Sequence, residues 1–383
     1  MRILTVDVGT GTQDIFLYDS ELDIQNGLKM IMPSPTLTIS RRIKQATSTG
    51  KDILLTGVLM GGGPSDWATA DHIRAGYRVY ATSAAAQSFN DDLDFLQHEM
   101  GLTIVSEEEA NRLIGSDEIV DIELKDFDLP AIASSFNAFG YQLAVDAIGV
   151  AVFDHGNAPP GYSDRQFRFD YLDERLSHQN QLSTFAFTAD QIPPIMTRMQ
   201  AIVQSYKGDA PLVVTDTAAA AIAGTMLDTT VRRRQQALIA NVGNYHTLAC
   251  RIRKSGEIEG MFEHHTGELN VNRLDKLLSA LADSSLTHED VFDDMGHGAL
   301  IYSSAPHKPI NNKGWGVAIT GPRRKIMRSS RHRPYFAVPY GDMMLSGCFG
   351  ILSLISDILP EFNTVILDSL HGKSGGMPWE TTP

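Results

Sequence analysis

Two short stretches far apart in the chain each end an apolar strand in the same kind of glycine turn: Ile3-Leu-Thr-Val-Asp7-Val-Gly9-Thr-Gly11-Thr12 and Ala237-Leu-Ile-Ala-Asn241-Val-Gly243-Asn-Tyr-His-Thr247. A strand of this kind delivers a carboxylate or carboxamide to its C-terminal tip. The glycines that follow let backbone N–H groups approach an anion with no side chain in between. Two such hairpins facing one cleft have the parts to hold a nucleotide's phosphates, and a chain built that way needs two equivalent halves.

The length of 383 residues allows this, because it exceeds the size at which one hydrophobic core usually stops growing. There is no run approaching ~18 uninterrupted apolar residues, and Met1-Arg2-Ile3 enters a strand directly, so the expectation is a soluble, cytoplasmic protein with no membrane partner. A net charge of −14 disfavours attraction to nucleic acid; Arg232–Arg234 and the run from Pro322 to Arg333 are local basic exceptions, read as solvated faces. The two cysteines, Cys250 and Cys348, sit in apolar surroundings with no Cys-x-x-Cys spacing and read as buried free thiols.

Along the chain, a three-strand opening is followed by alternating strands and helices, which indicates a mixed sheet with helices on its faces. Helices are expected at 41–49, 66–76 and 83–101. A capping box, Ser106-Glu-Glu-Glu109, opens another, and Thr188-Ala-Asp-Gln191 opens one running to about Gly208. Residues 157–187 lack a clear period and read as a lid or inserted loop. The second half repeats the plan of the first, with a helix at 270–282 whose Leu274, Leu277, Leu278 and Leu281 fall on one face. The division expected is an N-terminal half at 1–210, a C-terminal half at 211–368, and a poorly ordered tail at 369–383.

With these motifs in this order the chain resembles the actin, sugar kinase and heat-shock chaperone ATPase superfamily. Asp7 to Thr12 resembles its first phosphate motif and Asn241 to Thr247 its second. Val213-Val-Thr-Asp216-Thr-Ala-Ala-Ala-Ala-Ile-Ala-Gly224 resembles the first connecting segment, Val317-Ala-Ile-Thr-Gly321-Pro322 the adenosine motif, and Ser346-Gly-Cys-Phe-Gly350 the second connecting helix. Neither a Gly-x4-Gly-Lys-Ser/Thr loop nor a helix-opening Gly-x-Gly-x-x-Gly is present. A narrower resemblance is to a prokaryotic family labelled "pyruvate formate-lyase activating enzyme-like". A glycyl-radical activase needs three clustered cysteines for an iron–sulfur cluster, which Cys250 and Cys348 do not supply.

The resemblance implies an α/β fold of two ribonuclease H-like domains with ATP and Mg²⁺ in the cleft between them. It implies Gly9, Thr10, Gly11 and Thr12 on one side of the phosphates, with Asn241, Gly243, Asn244 and Thr247 on the other and Gly321 near the adenosine. Asp7 and Asp216 are the implied Mg²⁺ carboxylates, acting mostly through water. The second hairpin commonly begins with aspartate in this superfamily; Asn241 is no general base at neutral pH.

Asp154, in Asp154-His155-Gly156, is the alternative base for a substrate hydroxyl, or else a turn aspartate with no chemistry. His246, His264 and His265 lie close enough in sequence to meet His155 across a cleft, although adjacent His264 and His265 on a strand point to opposite faces. Structural or phosphate-contacting histidine is the preferred reading. Gly61-Gly62-Gly63-Pro64 is either a close backbone approach for substrate or a tight exit turn. Trp67 and Trp315 are either stacking platforms or core aromatics.

The functional expectation is a phosphotransferase or ATPase acting on a small molecule. Its rivals are a weakly hydrolysing nucleotide switch acting on a protein partner, which Asn241 favours, and a reductive-activator ATPase that would need a partner's cluster.

Overall fold

The computed structural model describes residues 1–308, 316–373, 375–377 and 379; Trp315 lies outside them. The opening strand Arg2–Val8 pairs antiparallel with Thr12–Asp19, which pairs antiparallel with Leu28–Pro33. On its other edge Arg2–Val8 runs parallel to Ala147–Val152, which runs parallel to Leu212–Asp216; Ala186–Thr188 closes the sheet. Every residue of Ala147–Val152 is buried, as expected for a parallel strand covered on both faces.

The second six-stranded sheet repeats this order. Gln236–Val242 leads, His246–Arg253 and Ile258–His265 follow antiparallel, and Ala318–Thr320 and Tyr335–Phe336 add in parallel. Gly298–Ile301 extends the far edge. Two meanders, each continued by parallel strands on the side of its first strand, make an α/β protein of two ribonuclease H-like halves. Both glycine turns therefore occupy the same place, between first and second strand of their sheets.

The polypeptide departs from the sequence reading in five places. Strands at 52–57, 79–82, 103–105 and 119–124 do not extend the first sheet but form a separate, all-parallel four-stranded sheet with its own core around Ile53, Leu55, Val79 and Ile122. The expected helix at 83–101 is broken into Ser83–Ala86 and Leu93–Phe95, the latter continued by a π-helical turn Leu96–Met100, and the helix expected from Thr188 begins only at Thr197. Residues 157–187 contain a regular helix, Asp164–His178. In the tail, Ser369 is buried with its hydroxyl 2.6 Å from Tyr18 Oη, and the Gly376 amide bonds Glu21 O at 2.8 Å.

The two sheets also interlock across the 210/211 division. Leu212–Asp216 belongs to the first sheet, and the late helix Ser346–Ile358 packs back on it, with Phe349 and Phe16 edge to face at 5.1 Å. That helix crosses Thr217–Met226 at backbone contact: a Cβ on Gly224 would lie 1.7 Å from Ser346 O, and one on Gly350 1.8 Å from Ala220 O. These positions accept nothing larger than glycine unless the helices part. Among the described residues no single helix is long and apolar enough to cross a membrane.

Candidate functional site

Both glycine turns are closed by the same bond, Gly9 N–H to Thr12 O at 2.9 Å in one and Gly243 N–H to His246 O at 3.0 Å in the other. Ser34, which caps the helix Pro35–Ser48, buttresses the first turn from behind: its hydroxyl donates to Thr10 O at 2.6 Å and its amide to Gly11 O at 3.2 Å. The turns meet at their tips, where a Cβ on Gly11 would lie 2.4 Å from Asn244 Nδ2. Gly9, Thr10, Asn241, Gly243 and Asn244 all line one cavity of about 1080 Å³.

Its opposite wall comes from the inserted sheet and its loops, Leu59–Gly63 and Gln87–Phe95, and from Phe153–Tyr162. The break in the expected helix at 83–101 thus supplies cavity wall. Gly61 donates its N–H to Asp126 at 3.0 Å and sits against Arg198, whose guanidinium bonds Asp126 at 2.7 Å and Phe153 O at 2.6 Å. Trp67 is no core residue: it is 56% exposed and its ring stands 6.5 Å from that of Tyr245, so an aromatic from the helix Pro64–Arg74 faces one from the second hairpin.

Other residues implicated by the sequence are placed differently. Thr247 is buried and bonds Thr266 at 2.9 Å, and Gly321, at φ +96, packs against Val242 O and the Asn241 amide; neither lines the cavity, nor do Gly11 and Thr12. Asp154 has both carboxylate oxygens engaged by amides, Gly156 N–H and Met199 N–H, each at 2.9 Å. That is the turn-bracing geometry, with burial pushing the carboxyl up and the two amides opposing it.

Asp216 is also occupied. It caps the Thr217–Met226 helix through Ala218 N–H at 2.8 Å and pairs with the buried Arg168 guanidinium at 2.9 Å. Both carboxylate oxygens are engaged and the residue does not line the cavity, which is at odds with its expected role as a metal carboxylate.

Asp7 lies beneath the cavity floor at Val8 and Gly9 and does not itself line the cavity. Thr217 Oγ1 donates to it at 2.5 Å, and the Ser346–Ile358 helix approaches so closely that a Cβ on Gly347 would sit 1.8 Å from its Oδ2. Burial, with Asp216 nearby, raises its carboxyl to about 6 despite the Thr217 bond. Directly across the strand pair stands Asp14, which sequence reasoning passed over as an ordinary strand residue. It is buried, its Oδ1 has no hydrogen-bond partner, and burial together with Asp7 pushes its carboxyl up to about 8.

A carboxyl raised on folding binds its proton more tightly in the native state, so its effect on stability is absent below about pH 4 and increasingly unfavourable up to about pH 8. Asp14→Asn should therefore raise the unfolding free energy of the ligand-free protein by about 1–3 kcal/mol at pH 8 and above, with the gain shrinking as pH falls. Denaturant melts of both proteins from pH 5 to 9 measure it; a pH-independent difference would place the proton elsewhere.

Part of the cavity wall is a group of rings, backed by His297 and His265. His155 Nε2 is 3.2 Å from His297 Nε2, and His246 stacks on Phe153 at 3.9 Å between centroids. His265 stands 5.2 Å from His246 and 4.7 Å from His297, while its Nδ1 bonds Met295 O at 2.8 Å. His264 points to the other face, as strand alternation requires, 3.3 Å from Asp294. Sequence spacing put four histidines near one another but gave no hint of His297, which reaches the group from the strand edge beyond Met295.

Neither cysteine reaches this region as a thiolate. Both are buried free thiols whose ionisation burial pushes up.

A family model described as "Putative pyruvate format-lyase activating enzyme (DUF1786)" matches residues 60–326, well over half of the chain. No curated protein matches. Similar solved structures include the activator of the 2-hydroxyisocaproyl-CoA dehydratase from Clostridium difficile with bound ADPNP, at 10% identity, covering 100% of this chain and 99% of that one, with a TM-score of 0.33. The ethanolamine utilization protein EutJ from Carboxydothermus hydrogenoformans is similar at 11% identity over 92% and 89% of the two chains, with a TM-score of 0.31. Scores of that size carry no argument, and the fold rests on the strand order given above.

Proposed function

Because the chain belongs to the family described as "Putative pyruvate format-lyase activating enzyme (DUF1786)", a description whose chemistry its two buried thiols do not serve, we propose its function from the cleft. The cleft binds ATP with Mg²⁺, the phosphates lying between the two glycine hairpins, and the protein acts as a phosphotransferase or ATPase. The observation that carries this is the convergence of Gly9 and Thr10 from one half with Gly243 and Asn244 from the other on a single cavity. Backbone N–H groups in both turns and the N-termini of the Thr217–Met226 and Ser346–Ile358 helices, both close to Asp7, favour an anion there.

The residues present fit Mg²⁺ at Asp7, with Asp14 behind it, better than at Asp216. The unpartnered Asp14 oxygen and the raised carboxyls of both residues are what a hydrated divalent cation would relieve. When bound, the ion neutralises triphosphate charge that a chain of net charge −14 would otherwise repel. Thr217 fixes the orientation of the Asp7 carboxylate, and Ser34 fixes the height of the Thr10 turn.

A second reading, a slowly hydrolysing switch that signals to a protein partner, draws support from the base positions. Asn241 accepts no proton, and Asp154 has both oxygens held by amides. Thermal melts with ATP, ADP and Mg²⁺, followed by ADP release across a panel of small hydroxyl and carboxyl compounds, test both readings. A nucleotide-dependent rise in midpoint with acceptor-dependent turnover supports the transferase; a rise without turnover supports the switch. No rise with millimolar Mg²⁺-nucleotide contradicts nucleotide binding itself.

A further inference from the structure

We propose that His155, His246 and His297 form a binding site for one divalent transition-metal ion, Zn²⁺ or a close analogue, at the inner wall of the cleft, with an open coordination position facing the cavity. Each residue offers one ring nitrogen, and the three nitrogens lie within 4.8 Å of one another. Three imidazoles at such spacing need only small side-chain rotations to converge on a common ion at ~2.0–2.1 Å.

Ordinary packing leaves features of this group unexplained. Two imidazole nitrogens face each other at 3.2 Å, so only one of them carries the hydrogen between them. His246 Nε2 and His297 Nδ1 are buried without a hydrogen-bond partner. A ring nitrogen buried without a partner costs about 1–3 kcal/mol, and an ion beside the His246 nitrogen would remove that penalty.

The surroundings are those of a metal site. Glu263 Oε1 stands 3.5 Å from His297 Nδ1, the place a carboxylate takes when it orients a ligating histidine from behind. Arg168 is held between Glu263 and Asp216, whose two carboxylates offset its charge. An all-imidazole set selects Zn²⁺, Co²⁺ or Ni²⁺ over the oxygen-seeking Mg²⁺.

His155 and His246 line the cavity and His297 does not, so the open position faces the cavity. Three protein ligands and one open position is the arrangement of catalytic zinc, in which bound water or a substrate oxygen occupies the fourth place. His265, with its other nitrogen tied to Met295 O, is the nearest further imidazole. The site is independent of nucleotide: it stands or falls without ATP.

The full-length protein, stripped with a chelator and titrated with Zn²⁺ against a chromophoric competitor, should take up one ion per chain. With Co²⁺ it should show the visible absorption of a four-coordinate centre. His155→Gln, His246→Gln and His297→Gln should each lower Zn²⁺ affinity about 100-fold or more, whereas His178→Gln, on an exposed helix face, should not change it. His155 is only half buried, so its variant is expected to fold, which the metal-free melting midpoint checks. Failure of the wild-type protein to bind Zn²⁺ and Co²⁺ stoichiometrically overturns the proposal, as does unchanged affinity in folded His155→Gln.

Discussion

Replacing Arg168 by methionine will lower the unfolding free energy by about 3–5 kcal/mol, the largest effect expected from any single conservative-volume change in this chain. Arg168 is 3% exposed and reaches from the helix Asp164–His178 to two carboxylates in different halves. It donates to Glu263 through Nε and Nη2, at 3.0 and 2.8 Å, and to Asp216 through Nη1 at 2.9 Å. A fourth bond goes to Asp154 O at 2.8 Å, and the guanidinium carbon lies 4.0 Å above the Phe153 ring.

Removing the guanidinium leaves two carboxylates buried together, so the cost is their uncompensated charge and not the worth of the pair. Adding Glu263→Gln to Arg168→Met should recover at least ~1 kcal/mol, because one buried charge is then gone. Urea melts of the wild type, both single variants and the double variant give the coupling. Strict additivity would mean that Glu263 relies on other partners.

The second large effect is on ligand binding. Asp7→Asn should weaken Mg²⁺-nucleotide affinity about 100-fold, or ~2.7 kcal/mol, while leaving the fold intact, since Thr217 can still donate to the amide oxygen. The wild type should also show a pH signature that the variant lacks. With its carboxyl raised to about 6, Asp7 is ionised above that pH and protonated below it, and a proton competes with the cation. Affinity should fall up to tenfold per unit below about pH 6 through Asp7, in addition to the shallower slope that Asp14, raised to about 8, gives both proteins up to that pH. Calorimetric titrations at pH 5, 6, 7 and 8 measure both effects; a variant that keeps the wild-type slope would assign the titrating group to another residue.

The duplicated fold was legible because its signals are local. An apolar strand followed by a glycine turn reads the same at Asp7 and at Asn241, and each is followed by a strand with its own turn. The separate sheet at 52–124 was not legible, because period and composition identify parallel strands without saying which sheet they join. The same limit hid the side of the 210/211 division to which Leu212–Asp216 belongs.

At the site, the hairpin glycines could be read from sequence, since backbone access is a local property. The fates of Asp154 and Asp216 could not. Whether a carboxylate is free depends on what reaches it from elsewhere, here Met199 N–H and the Arg168 guanidinium. Arg168 sits in a stretch with weak helical period, Glu263 in a strand beside two histidines, and His297 after a loop; none carries a motif. Asp14 alternates correctly for a side chain on the same face as Asp7, seven positions on across a two-strand hairpin. The pairing register, not the residue type, made it a partner.

The central claim is that one nucleotide touches both hairpins at once. Hydrogen exchange of the full-length protein, with and without Mg²⁺ and a non-hydrolysable ATP analogue, tests it most directly. The account predicts that amides at 8–12 and at 241–247 gain protection together and lose it together in Asp7→Asn. Protection confined to one hairpin, or protection elsewhere with both hairpins unchanged, would contradict it.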